Sequence, residues 1–230
     1  LTGAALATVS ISSTGTASSF DNFDAASATA INIDAAANMT ITGALATAAT
    51  AATLTVTGAA NVDLSALDAQ IDTITASAMT GNFTGEIGAA VDTVITTGAG
   101  DDVITASTTD SIATTDDLAV DAGAGTDILV IGDANDINTA GDAARYTNFE
   151  TIRTAAGQNM ALITGITAIQ DTGSNTQTYT NVSATQLANI TFRADNTTST
   201  TFTGASTSGS ADSAVINLTS GTAATNVDVA

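Results

Sequence analysis

Apolar and polar residues alternate one for one through short segments that return roughly every ten residues of this 230-residue chain, and that period constrains its fold more than any other feature. Ala7-Thr8-Val9-Ser10-Ile11-Ser12, Ala30-Ile31-Asn32-Ile33-Asp34, Met39-Thr40-Ile41-Thr42 and Thr53-Leu54-Thr55-Val56-Thr57 show it most clearly. Successive side chains of a strand point to opposite faces, so each segment predicts a half-buried strand, with Thr outside because its β-branch favours extended backbone. Shorter copies follow at Val62-Asp63-Leu64, Ile71-Asp72-Thr73-Ile74, Asn82-Phe83-Thr84, Val91-Asp92-Thr93-Val94-Ile95 and Asp102-Val103-Ile104-Thr105. In the C-terminal part Leu162 to Ile169, Asn189 to Phe192, Thr200 to Thr203 and Ala214 to Leu218 read as strands. Helix is expected only as a turn or two at Thr139 to Tyr146 and Ser183 to Leu187, with Ser65 to Asp72 a weaker third candidate.

Short strands at regular spacing suit a sandwich, a barrel or a solenoid. Hairpin folds favour Asn-Gly or Asp-Gly turns, and neither dipeptide occurs in the chain. Stacked coils instead require small apolar residues inside and columns of Thr, Ser and Asn outside. The expected fold is therefore all-β, a right-handed parallel β-solenoid, with an immunoglobulin-like β-sandwich as the alternative. By composition, residues 1–61 form Thr/Ala-rich strands, 62–136 the most distinctive part, and 137–230 a Thr-rich β region that continues the same solenoid.

Charge narrows the partners. Three arginines and no lysine face 23 acids, all aspartate except Glu86 and Glu150, for a formal charge of -20. Such a surface repels phosphates and anionic lipids, so nucleic acid and direct membrane insertion are excluded as partners. In so acidic a chain each arginine is expected to pair locally, Arg153 with Glu150 for instance. With no Cys and no His, the chain lacks disulfides, Cys/His zinc sites, Cys nucleophiles and Ser-His-Asp triads.

Two segments depart from the Thr/Ala background. Gly98-Ala99-Gly100-Asp101-Asp102-Val103-Ile104-Thr105 and Gly123-Ala124-Gly125-Thr126-Asp127-Ile128-Leu129-Val130 share the pattern G-A-G-x-D-[VI]-[IL]-x. They match the last eight places of the glycine-rich nonapeptide G-G-x-G-x-D-x-U-x, and a degenerate copy lies at Gly88-Ala89-Ala90-Val91-Asp92. These segments resemble the calcium repeats of RTX (repeats-in-toxin) proteins. The order of motifs from about residue 54 to 155, ending in Tyr146-Thr147-Asn148-Phe149-Glu150-Thr151-Ile152, is similar to RTX-containing surface-layer proteins of Gram-negative bacteria.

The resemblance implies Ca2+ as cofactor, because calcium takes six to eight hard oxygens in flexible geometry. Its implied ligands are the Asp102 and Asp127 carboxylates and the main-chain oxygens of Gly98, Gly100, Gly123 and Gly125, with Asp101 and Asp121 as additional candidates. Asp116, Asp117, Asp133 and Asp136 cluster nearby and read as a solvated acidic face. The resemblance further implies type I secretion, an extracellular address on the bacterial cell surface, and copies of the chain itself as partners in a lattice. Outer-membrane polysaccharide would be reached through another part of a parent protein.

The expected function is thus a structural component of a self-assembling, calcium-stabilised surface layer, without enzymatic activity. An adhesin module of a large secreted protein is the alternative, although no Trp and only Tyr146 and Tyr179 are present to form sugar platforms. A polysaccharide-degrading enzyme is a third reading. Its weakness is that adjacent carboxylates such as Asp101-Asp102 or Asp116-Asp117 point to opposite faces of a strand.

Overall fold

Each alternating segment becomes a strand that hydrogen-bonds to its equivalent one turn later, and the chain winds into a parallel β-solenoid. The computed structural model describes residues 6–49, 51–67, 70–86, 94–106, 119–132, 136–194, 199–204, 216–218 and 226–229. The first coils contain β1 (Thr8–Ser13), β2 (Ser18–Phe20), β3 (Phe23–Asp24), β4 (Ala30–Ala35), β5 (Met39–Ala46), β6 (Ala52–Gly58) and β7 (Val62–Leu67). The middle coils contain β8 (Ile71–Met79), β9 (Phe83–Glu86), β10 (Val94–Thr96), β11 (Val103–Thr105), β12 (Ala119–Asp121), β13 (Ile128–Ile131), β14 (Tyr146–Thr147) and β15 (Thr151–Thr154). The last coils contain β16 (Ala168–Asp171), β17 (Gln177–Val182), β18 (Ile190–Phe192), β19 (Ser199–Gly204), β20 (Ile216–Leu218) and β21 (Asn226–Val229).

These strands form two long sheets and a short one. The first runs β1-β4-β6-β8-β10-β12-β14; the second runs β2-β5-β7-β9-β11-β13-β15-β16-β18-β20, with β3 also beside β5; the third is β17-β19-β21. Every ladder among the described residues is parallel, which removes the sandwich alternative, whose sheets are antiparallel. The ladders cross both composition boundaries: β5 pairs with β7 and β6 with β8 across residue 61, and β12 pairs with β14 and β13 with β15 across residue 136.

The core is a set of columns running along the solenoid. In the first sheet Ile31, Leu54, Ile74, Ile95 and Val120 stack in register, each at most 1% exposed. In the second, Ile104, Leu129, Ile152, Ile169 and Ile190 do the same, all fully buried. Each such rung contributes about 1.5–3 kcal/mol of apolar burial. Upstream in that second column Gly85 replaces the rung, and the Phe83 ring lies where a Cβ on Gly85 would go.

Among the described residues helix is confined to two single turns, α1 (Ala140–Ala143) and α2 (Ala184–Leu187), where the sequence expects them. Thr139 and Ser183 each close a reciprocal capping box, with Asp142 and Gln186 as the returning partners. Two expectations fail. The described part of Ser65 to Asp72 is not helical: Ala66 and Leu67 pair with Ala44 and Leu45 as part of β7, and β8 starts at Ile71, so sheet pairing overrides a weak local preference there. Of Leu162 to Ile169 only Ala168 and Ile169 are strand, because Gly165 at φ +89° bends the chain; Ile163 and Ile166 still bury their side chains.

Candidate functional site

The two Gly-Ala-Gly-x-Asp segments form the corners where the chain passes from the first sheet to the second. Residues 97–102 join β10 to β11, and 122–127 join β12 to β13 one coil later. A corner stacked this closely has no room for side chains on its inner edge. A Cβ on Gly98 or Gly100 would strike the carbonyls of Met79 or Gly81, and one on Gly123 or Gly125 would strike those of Gly98 or Gly100. Gly123 also adopts φ +77°. The four glycines are therefore required by coil-to-coil packing itself.

Asp102 and Asp127 stack at these corners and are fully buried. Each carboxylate caps the backbone of the coil before it: Asp102 Oδ1 accepts from the Phe83 N–H (2.6 Å), and Asp127 Oδ1 accepts from the Asp102 N–H (2.7 Å). Glu150 adds a third rung, its Oε2 accepting from the Asp127 N–H (2.8 Å). The second oxygen, Oδ2, of both aspartates is buried without a hydrogen-bond partner. Burial pushes the Asp102 carboxyl above its usual range. The same cause, with the charges of Asp102, Glu150 and Asp101, pushes Asp127 up to about 7.

A buried acid in the last coils shows the contrast. Asp171 is 1% exposed and its carboxyl is likewise raised by burial. Both of its oxygens are used, Oδ1 by the Gly173 N–H (2.8 Å) and Oδ2 by the Thr200 hydroxyl (3.1 Å). Asp127 differs in keeping one oxygen without a donor, and the second oxygen of Asp102 completes no hydrogen bond although the Thr97 hydroxyl and Gly98 N–H lie near enough to favour its charged form.

The other predicted ligands have structural duties. Asp101 is exposed, and its Oδ1 accepts from the Thr126 N–H (2.9 Å). Asp121 lies at the far end of the corner, where its Oδ1 accepts from the Gly123 N–H (3.0 Å) and the Asn148 amide (2.6 Å). Gly98 O accepts from the Ala124 N–H (2.8 Å), and the Thr97 hydroxyl donates to Ala122 O (2.7 Å). Among the described residues, no group of three or more acidic side chains converges on one point where a metal could sit. A cation here would draw on stacked carboxylates in twos, completed by main-chain oxygens.

Asp136 is buried, so it does not belong to a solvated face. Asp116, Asp117, Asp133 and the degenerate copy at Gly88 to Asp92 lie outside the described residues.

Two features of the corner went unread in the sequence. Glu150 continues the aspartate column, and its signal was available: Asp102, Asp127 and Glu150 are 25 and 23 residues apart, each followed two places on by an apolar core residue. The second is an amide ladder beside it. Asn38 Oδ1 accepts from the Asn61 N–H, Asn61 Oδ1 from the Asn82 N–H, and Asn82 Oδ1 from the Asp101 N–H, all at 3.0 Å.

The arginine expectation is also corrected. Glu150 is engaged with Asp127, and Arg153 Nε instead donates to Gln170 Oε1 (2.8 Å). Arg193 Nη1 donates to the same oxygen (3.1 Å). Comparison with known protein families and with characterised proteins finds no match for this chain.

Proposed function

We propose that the protein is a structural component of a self-assembling, calcium-stabilised layer on a bacterial cell surface. The observation that carries this reading is the pair of buried carboxylate oxygens at Asp102 and Asp127, one coil apart, neither of which completes a hydrogen bond. Such atoms fit a hard divalent cation, for which Asp102 and Asp127 would be the ligands beside main-chain oxygens of the Gly corners. Calcium would supply the missing counter-charge there. A chain at -20 also resists close approach of its own copies until cations neutralise it, so one ion would serve both fold and lattice. Stacked coils with Thr-rich outer positions suit a structural coat, and the chain has no imidazole or thiol.

The test is a calcium titration followed by thermal melting, light scattering and electron microscopy of the assembled material. Calcium is expected to raise the melting temperature and to drive growth of ordered sheets that a chelator dissolves. A melting temperature and particle size indifferent to chelation would end the proposal.

A further inference from the structure

Two of the chain's three arginines converge on one glutamine. Arg153 on β15 and Arg193 just after β18 converge on Gln170 of β16, and among the described residues neither forms an ion pair with a carboxylate. Burial lowers the Arg153 pKa, and the neighbouring Arg193 charge lowers it further. In a chain with 23 acids, two guanidinium groups brought together make a local positive charge that an acidic surface would match.

The partner's charge pattern is present on the same face. On the outer surface of the second sheet one column runs Glu86, Thr105, Val130, Arg153, Gln170, Thr191 in register. The next column runs Asp63, Thr84, Val103, Ile128. The face therefore carries acids at one end, Asp63 and Glu86, with the exposed Asp101 beside Val103 at its middle, and arginines at the other end. Between them lie Val103 and Ile128, half-buried in the column that earlier coils fill with Thr40, Asp63 and Thr84, and Val130, half-buried next to Thr105 in the other. Ile128-Leu129-Val130-Ile131 is an unbroken apolar run, the pattern of a strand covered on both faces.

We infer that this outer face of the second sheet is the contact surface for a second copy of the chain, packed antiparallel about a two-fold axis that lies between β11 and β13 along the strand direction. Glu86 and Arg153 stand on opposite sides of that axis at equal distance, three rungs or about 14 Å apart. The rotation therefore sets Glu86 of each copy against Arg153 of the other, brings Asp63 to the coil where Arg193 meets Gln170, and closes Val103, Ile128 and Val130 together. A self-complementary patch of this kind is what an isologous dimer requires. The inference deepens the surface-layer reading by naming one contact from which a layer is built.

The full chain would be examined by sedimentation at increasing concentration, in calcium and near-physiological salt, with circular dichroism confirming the fold of each variant. The expected result is a dimer whose dissociation constant rises at least about tenfold in Arg153→Glu and in Glu86→Arg, and returns to within about threefold in the double charge exchange. Val130→Thr, which installs the residue type used elsewhere on the sheet, should weaken the dimer without disturbing the fold. A chain that stays monomeric up to about 0.5 mM, a dimer indifferent to Arg153→Glu, or a double exchange that fails to recover would each overturn the inference. Normal arrays from Arg153→Glu protein would refute this face and leave the surface-layer reading standing. A charge-reversible dimer that never builds arrays would uphold the face and count against that reading.

Discussion

Met39, Val62 and Phe83 occupy the inward place at the corner between the two long sheets in three successive coils, and Asp102, Asp127 and Glu150 occupy it in the next three. The register carries through both sets, but Met39, Val62 and Phe83 open their strands whereas Asp102, Asp127 and Glu150 lie in the corners just before theirs, and the chemistry reverses. The apolar rungs are at most 1% exposed and need nothing beyond one another. The two aspartate rungs are as deeply buried but leave one oxygen each without a completed hydrogen bond, a cost that burial makes large unless a proton or a cation offsets it. One half of the column therefore needs neither a proton nor a cation, and the other half does. The exposed ladder beside it changes from Asn38, Asn61 and Asn82 to Asp101 at the same coil, with the same N–H bonds kept and a charge added.

The largest effect that would break this contrast is calcium dependence itself. At a hundredfold excess over its dissociation constant, calcium should stabilise the wild-type chain by about 2.7 kcal/mol per site, read from urea midpoints with and without chelator. The Asp102→Asn/Asp127→Asn chain should lose that gain while becoming more stable than wild type in chelator. Equal calcium gains in both chains would place the ion elsewhere.

Acid should act next. Asp127 titrates at about 7 when folded and near 3.8 when unfolded, so the folded chain holds a proton that the unfolded chain has released. In chelator, stability is then greatest below about pH 4 and declines by roughly 2 kcal/mol as pH rises through about 7. Urea midpoints across that range should show the slope, and Asp127→Asn or bound calcium should flatten it. A flat profile in the calcium-free wild-type chain would mean that the carboxylates are satisfied in some other way.

The smallest effect sharpens the contrast between the columns. Asn61→Asp puts an acid in the exposed ladder rather than the inward one and keeps the oxygen that accepts from Asn82, so it should cost no more than about 0.5 kcal/mol and respond little to calcium. A loss as large as that from calcium removal would show that charge at the corner matters wherever it sits.

The strands and their parallel stacking were legible because small apolar residues alternate with Thr in a chain without hairpin dipeptides. The corner glycines and aspartates were legible through the repeated Gly-Ala-Gly-x-Asp pattern. What could not be read was which oxygens would be left over. That depends on stacking: Asp101 and Asp102 are adjacent in sequence, yet one ends exposed and hydrogen-bonded while the other ends buried with an idle oxygen. Ser65 to Leu67 misled because strand pairing with the previous coil is invisible in a local window. Arg153 misled because its neighbour in sequence, Glu150, was already claimed by a residue one coil away.

The corner also solves an indexing problem. A strand such as Thr53-Leu54-Thr55-Val56-Thr57 repeats itself every two residues, so sliding it by two against its neighbour would cost its own ladder very little. Register irregularities do occur within the β5–β7 and β6–β8 ladders. At the corner the bonds run both ways: the Asn82 side chain awaits an N–H from the following coil, and the adjacent Phe83 N–H awaits a carboxylate from it. A shift of one or two places separates both pairs at once, which makes this short stretch of Asn and Asp the mark from which otherwise interchangeable threonine strands are counted.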